Sequence, residues 1–470
     1  MAANCVIEQH PIGFFIPVGQ ELIFVVSNRD AVANQTKVKF CAEVHIGTTI
    51  PVTANSDNLK GVFKTTPNNA GVGMFDLRNV IENYVKADNM AANGSSYKGT
   101  TTLDSERHPV HLIDKYSLNT NLGRYMVIQF YVEYLGATNN GVSDPNVVAR
   151  QDGTTQNSEV YFLFNGYVKH TDSLYKSGNN FGFDTSKFFL SSITDEFLTN
   201  APTEQYANVE DYGTMSFVTS SISMNSIALN YYSSDYISLG TDTVVRNSSN
   251  GAWDNPFAAV SENQILHIGC FPGNLRNWSS TFQALVTAGT IQGGFISVRA
   301  YFDFSAISKA YIIHVNCPDT KNFESIRLCW LNQWGAWDYY TFTKKSTRST
   351  STQGSTYHQL GGSWNESLYR PDSFKGGKKS FRVNATERIT MNTNFVSEDD
   401  NVMFEELINS PEVYLLEGYQ TDAANAVLNN YVTPVRLTTS SFTKKTLAND
   451  KLIQYTFEIE KSKTLRTQSI

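Results

Sequence analysis

Residues able to do chemistry are few in this sequence, and their spacing works against them. His108-Pro-Val-His111, with Asp104, Glu106 and Asp114 nearby, offers the imidazoles and carboxylates that hold a transition metal. Pro109 favours an extended path at that point, whereas the histidine pairs of zinc enzymes stand one helical turn apart. The expectation is a polar loop without a metal. Nucleophilic serine chemistry asks for Gly-x-Ser-x-Gly between a strand and a helix, and Gly361-Gly-Ser-Trp is not that motif. Gly376-Gly-Lys-Lys-Ser380 has lysine after glycine but lacks the spacing whose amides wrap a phosphate, so it reads as a basic turn. Asp399-Asp400 and Glu405-Glu406 are paired acids, yet glycosidase work needs two carboxyls converging on one bond, and adjacent side chains diverge. A solvated loop and a helix face are expected there. These readings leave no catalytic residue, no metal and no cofactor.

The aromatic residues make a stronger candidate. Trp330, Trp334, Trp337, Tyr339, Tyr340 and Trp364 crowd one region, where rings can pack a core, anchor a protein interface or stack on sugars. Core packing is the default, and Trp334, Trp337, Tyr339 and Trp364 are the candidates for an interface. A basic C-terminal tail adds Lys461, Lys463 and Arg466 to that candidate set.

Composition narrows the class. At 470 residues the chain exceeds the roughly 250–300 residues at which one core stops growing, so two or three domains are expected. Charged residues make up 17% and aromatics 13%, a balance poor in charge and too rich in rings for a disordered chain. The formal net charge of −7 lacks the positive field that nucleic-acid coating requires, so no nucleic-acid partner is expected. Five widely spaced cysteines with no CxxC pair suggest small buried hydrophobes and a reducing cytosol, not a disulfide framework or zinc site. The opening residues lack a basic segment followed by an apolar core, and no stretch approaches the ~18–20 apolar residues of a membrane helix. No secretion by that route and no membrane contact are expected.

The elements that must position these residues read mostly as strands. In Val38–Ile46, Val38, Phe40, Val44 and Ile46 share one face, with Lys39, Glu43 and His45 opposite. Residues 21–27, 125–134 and 160–164 are further apolar or aromatic runs of strand length. Asp76 followed by Leu77, Val80, Ile81, Tyr84 and Val85 predicts one short helix. Short β-like runs fill the middle, ending in an aromatic hairpin over 325–342. Residues 344–362 turn to Ser, Thr, Gln and Gly and read as a loop or extended arm. A helix over 402–408 stops at Ser410-Pro411. Then Ile453, Tyr455, Phe457 and Ile459 alternate with polar residues in a final strand. The expected fold is mainly β, with two or three β-sandwich-like domains and a few short helices. Residues 1–170 form a first sandwich-like domain with one short helix, 171–343 a second, and 344–470 a polar arm with a C-terminal α+β assembly domain.

Phe75-Asp-Leu before a short helix, Arg327-Leu-Cys-Trp-Leu-Asn-Gln-Trp-Gly-Ala-Trp-Asp-Tyr-Tyr-Thr-Phe342, Ser410-Pro-Glu-Val-Tyr414 and Asn449–Glu460 occur in that order. This combination resembles a group of virion structural proteins of tailed phages, including marine cyanophages and some crAss-like phages. The resemblance follows most of the chain and is strongest over 320–470. It implies a virion component made in the host cytoplasm, assembled as a ring or multimer in the tail, baseplate or neck. The implied partners are further copies of itself and neighbouring virion proteins; it carries over no active-site residue. Two other readings stay open: a host-surface glycan-binding adhesin using the tryptophan cluster, and a minor head or decoration protein. A polysaccharide hydrolase would need two converging carboxylates, and no residues select it.

Overall fold

The computed structural model describes residues 4–48, 57–86, 110, 116–119, 123–219, 226–245, 264–315, 323–363, 365–418, 432–446, 452–463 and 465–466. Strand accounts for 48% and helix for 12% of these described residues, so the fold is mainly β, with several separate sheets, sandwich-like packing and few short helices, as the alternation of side chains predicts. His108 and His111 lie outside the described residues, as do Cys317 and Trp364. The chain divides into two compact units: Met1–Asn316 with Leu331–Asp338 and Gln420–Asn429, and Cys317–Trp330 with Tyr339–Tyr419 and Asn430–Ile470. The first unit thus runs across residue 170, and the second includes a segment preceding the polar arm.

The first unit is layered around one central sheet. Its strands run in the order Phe15–Gly19, Tyr161–Tyr167, Gly123–Leu135, Lys39–Gly47, Leu59–Thr65, and Phe15–Gly19 is parallel to its neighbour while the other neighbouring pairs are antiparallel. Alternation gives the sheet two faces. Phe40, Ala42, Val44 and Ile46, with Met126, Ile128, Phe130 and Val132, pack against Phe24, Val26 and Phe75 of a three-stranded sheet. Phe24 and Phe75 hold their rings 5.8 and 5.9 Å from that of Phe130. Such face-to-face burial is the sandwich arrangement, and it is the face predicted for Val38–Ile46.

The predicted short helix is present but brief: Arg78–Ile81 continues as a 3₁₀ turn, Glu82–Tyr84. Asp76 Oδ1 accepts from the Arg78 amide at 3.1 Å, and Leu77, Ile81 and Val85 enter the sandwich core.

On the opposite face of the central sheet, Tyr125, Val127, Phe162, Phe164 and Phe15 pack with Val218 and Ile265. These last two belong to the antiparallel pair Thr214–Thr219 and Gln264–Gly269. A further sheet of the same unit runs Glu204–Ala207, Tyr311–Val315, Phe295–Phe302, Ser226–Tyr232, Ser238–Val245. Its middle strands bury Ile227, Leu229, Tyr231, Ile296 and Val298 on one side.

The second unit is built on one long sheet, ordered Trp337–Phe342, Ile326–Leu331, Val413–Leu416, Val432–Leu437, Thr456–Lys461, Gly377–Asn392, Thr347–Gln359. The helix Asp400–Asn409 lays Met403, Phe404 and Leu407 inward. Phe404 stands 5.0 Å from the Tyr340 ring and 5.5 Å from Phe457. Ile453, Tyr455, Phe457 and Ile459 are all buried, matching their alternation in the sequence. Residues 344–362, expected as a loop or extended arm, take the second form. Thr347–Gln359 is a regular thirteen-residue strand paired antiparallel with Gly377–Asn392, a hairpin arm in which backbone hydrogen bonds supply the order that apolar side chains do not.

Candidate interaction surfaces

The turn of the aromatic hairpin faces inward. Asn332 Oδ1 accepts from the amides of Trp334 and Ala336, each at 3.0 Å, and its Nδ2 donates to the Leu198 carbonyl at 2.9 Å. Gly335 adopts φ +71°, where glycine carries no steric cost; an added Cβ would also meet the Asn165 carbonyl oxygen at 2.2 Å. Trp334 donates Nε1–H to Asn200 Oδ1 at 3.1 Å and sets its ring edge-on to Phe188 at 4.9 Å. Trp334, Trp337 and Tyr339 are 3%, 2% and 5% exposed, so they lie in the interior and offer no ring to a partner's surface. Arg327 covers Tyr339 at 5.3 Å. Asp338 is buried too, takes a 2.5 Å hydrogen bond from Thr199 Oγ1, and is pushed up to about 6 by burial.

The expected basic tail begins as structure. Lys461 is the last residue of a strand, and its Nζ lies 3.3 Å from Glu387 and 3.6 Å from Glu417. Arg466 belongs to a short strand, Leu465–Arg466, that pairs with the arm opposite Asn384. Lys463 is exposed to solvent. Lys461 completes a cluster centred on Arg348, which donates Nε to Glu324 at 3.0 Å, Nη1 to Glu387 at 2.7 Å and Nη2 to Glu417 at 3.1 Å. The guanidinium fork suits several carboxylates at once. Hydrogen bonds from Arg348 hold the Glu324 and Glu387 carboxyls below their ordinary range.

Exposed large apolar and aromatic side chains lie elsewhere, at two places that local sequence reading missed: beside Tyr206 and Tyr236, which flank the buried Phe295, and at the end of the arm. In the first unit Tyr206, His314, Phe295 and Tyr232 are register neighbours across four strands. Tyr206 stacks on His314 at 4.9 Å and Tyr232 on Phe295 at 4.9 Å. Tyr236, 77% exposed, stands edge-on to Phe295 at 5.2 Å and has φ +61°, a strained setting for a bulky residue. The second place is the far end of the arm, where Leu360, Leu368, Tyr369, Phe374 and Phe381 are exposed. Lys379 Nζ donates to the Phe374 carbonyl at 2.9 Å there. The row across the sheet was hidden because its members are far apart in sequence and meet only through strand register.

Among the described residues, the acidic pairs and cysteines make structural contacts. Asp400 Oδ2 accepts from the Ser397 amide at 2.8 Å and hydroxyl at 3.0 Å, and Glu405 pairs with Lys444 at 2.8 Å. Cys5, Cys41, Cys270 and Cys329 are buried free thiols; burial pushes Cys5 and Cys41 up to about 12, which suppresses the reactive thiolate. Among the described residues no group of three or more His, Cys, Asp or Glu could hold a metal ion.

No protein-family model and no curated protein matches the chain. Among solved structures, the apo pullulanase of Klebsiella pneumoniae is similar at a TM-score of 0.11 and 11% identity, over 61% of this chain and 20% of that one. Native E. coli alpha-2-macroglobulin gives a TM-score of 0.17 and 8% identity, over 100% of this chain and 31% of that one. The chain spans a third or less of those proteins' lengths, and likeness at these scores carries no argument.

Proposed function

We propose that this chain is a structural component of a tailed-phage virion, placed in the tail, baseplate or neck and acting through protein–protein contacts with its own copies and neighbouring virion proteins. It is assembled in the host cytoplasm, uses no cofactor and is not an enzyme. The observation that carries the reading is the arm of the second unit: a long exposed hairpin with an apolar, basic far end, a device for reaching a neighbour. The sequence resemblance supplies the setting. Electron cryomicroscopy of particles from the encoding virus tests it. Tracing the chain in a symmetric tail, baseplate or neck ring, with its arm against a neighbour, is the expected result; its absence from particles overturns the proposal.

A second reading, a surface that binds host glycan, draws on Tyr206 and Tyr236, the exposed members of the aromatic row, in place of the buried tryptophans, since exposed ring faces stack on sugars. Glycan-array binding lost in Tyr206→Ala and Tyr236→Ala would favour it, with the chain then located at fibre tips. A minor head protein is the outcome if the density places the chain in the head.

A further inference from the structure

The arm strand Thr347–Gln359 is an edge. Its inner side pairs with Gly377–Asn392, and among the described residues no strand pairs with its outer side. It is thirteen residues long and exposed from Thr347 through Thr356, where strands usually run about 5–6 residues. Monomeric proteins blunt such edges with lysines, prolines, bulges or brevity. Here Ser349–Thr356 holds no charge and no proline. The register shift between Ser355 and Thr356 places its extra residue, Phe381, on the inner strand, so the outer row of amides and carbonyls keeps an unbroken pleat.

We propose that this outer edge is completed by the same strand of a second copy of the chain, antiparallel about a two-fold axis through Gln353. Self-pairing requires a sequence that reads compatibly in both directions, because an isologous contact sets residue against mirror residue. About Gln353, Thr350 faces Thr356 and Ser351 faces Ser355, while Thr352 faces Gly354. Thr–Thr and Ser–Ser are favourable cross-strand pairs and no like charges oppose.

Charge selects the same partner. Residues 359–382 contain five basic and two acidic side chains, a surplus of three positive charges in a chain of net charge −7. The rest of the chain therefore carries −10. Antiparallel pairing brings Lys378 and Lys379, opposite His358 and Tyr357 in the hairpin, toward the other copy's cluster of Glu324, Glu387 and Glu417 with Arg348 and Lys461. That cluster has one more acid than base.

The inference rests on the premise of the proposed function that copies of this chain meet; a two-fold contact joins them in pairs, and a ring is closed by a separate head-to-tail contact. Its test uses the full chain carrying Gln353→Cys or Thr347→Cys, oxidised and run on non-reducing gels beside the unmodified chain. In the proposed register the two copies of residue 353 are directly opposed, within disulfide reach. The two copies of residue 347 are separated by about 40 Å at ~3.4 Å per residue. The expected result is a disulfide dimer from Gln353→Cys that takes up most of the chain, with Thr347→Cys at the unmodified level. Equal cross-linking of both variants overturns the register. Self-association by sedimentation without the Gln353→Cys dimer overturns the edge while leaving assembly standing. A chain that sediments as a monomer and forms no dimer overturns the inference, and its place in the virion is then decided by cryomicroscopy.

Discussion

Ser216 and His267 face each other across the strands Thr214–Thr219 and Gln264–Gly269, with Ser216 Oγ 2.6 Å from His267 Nδ1. Serine beside imidazole is also the pairing of nucleophilic catalysis. Here both side chains are sealed from solvent, 2% and 0% exposed, so the pair serves the interior as a neutral hydrogen bond. Burial lowers His267 to about 3. A folded value below the ordinary 6.5 means that the stabilisation is complete above pH 6.5 and is lost as pH falls toward 3, amounting to about 5 kcal/mol at most by proton linkage. Urea unfolding of His267→Asn across this window is expected to show a shallower acid limb than the unmodified chain. Parallel curves for the two would remove His267 as the cause.

Asp338 carries the opposite sign. Its folded value, about 6, exceeds the unfolded ~3.9, so the folded state holds the proton longer and stability declines as pH rises from about 4 to 6. The span is about 3 kcal/mol at most. Asp338→Asn is expected to remove that decline and to raise the unfolding midpoint at neutral pH relative to the unmodified chain. A lower midpoint at neutral pH would mean that the ionised carboxylate is needed for the fold.

Arg348 keeps three glutamates together. Arg348→Ala leaves Glu324, Glu387 and Glu417 with Lys461 as their remaining partner in the cluster, and an expected cost of about 1–2 kcal/mol follows from losing charge-assisted bonds and exposing like charges to one another. Added salt should recover part of the loss, because these groups are accessible enough to be screened. Denaturation in low and high salt reads both effects, and a salt-independent loss would point to packing instead.

Gly335 sits where an L side chain meets two obstacles, a left-handed backbone and the Asn165 carbonyl. Gly335→Ala is expected to lower the thermal midpoint with a cost above about 1 kcal/mol. Because the same turn holds Trp334, its near-ultraviolet dichroism should weaken in step. An unchanged midpoint would show that the turn relaxes freely.

Much of the fold was legible where one face of an element is apolar. Phe457 and Ile459 alternate with polar neighbours because the strand Thr456–Lys461 has a wet side and a dry side, and Ile453 and Tyr455 carry the same alternation through the segment that leads into it; Leu77, Ile81 and Val85 repeat at helical spacing because they enter one core. The arm strand gave no such signal. It is exposed on most of its length, so no hydrophobic period exists to read, and its register is set by residues some twenty to forty positions away. The tryptophans were legible as aromatic anchors but not as interior ones, since what buries Trp334 is Phe183, Phe188 and Asn200, far off in the chain. The unit boundary escaped for a related reason: local composition marks linkers, whereas this chain leaves the first unit at residue 316 and returns to it at 331.

That return has a consequence for synthesis. Trp334 and Ala336 belong to the same buried cluster as Phe15, Phe162 and Phe164, yet they follow them by well over a hundred residues of translation. A nascent chain exposed through residue 316 contains the described strands of the first unit's sheets but lacks the plug for one of its cores. At the usual pace of about 5–20 residues per second, the gap stays open only for seconds on a moving ribosome. A pause or truncation just before residue 334 would turn that brief exposure of phenylalanine rings into a lasting target for chaperones and proteases.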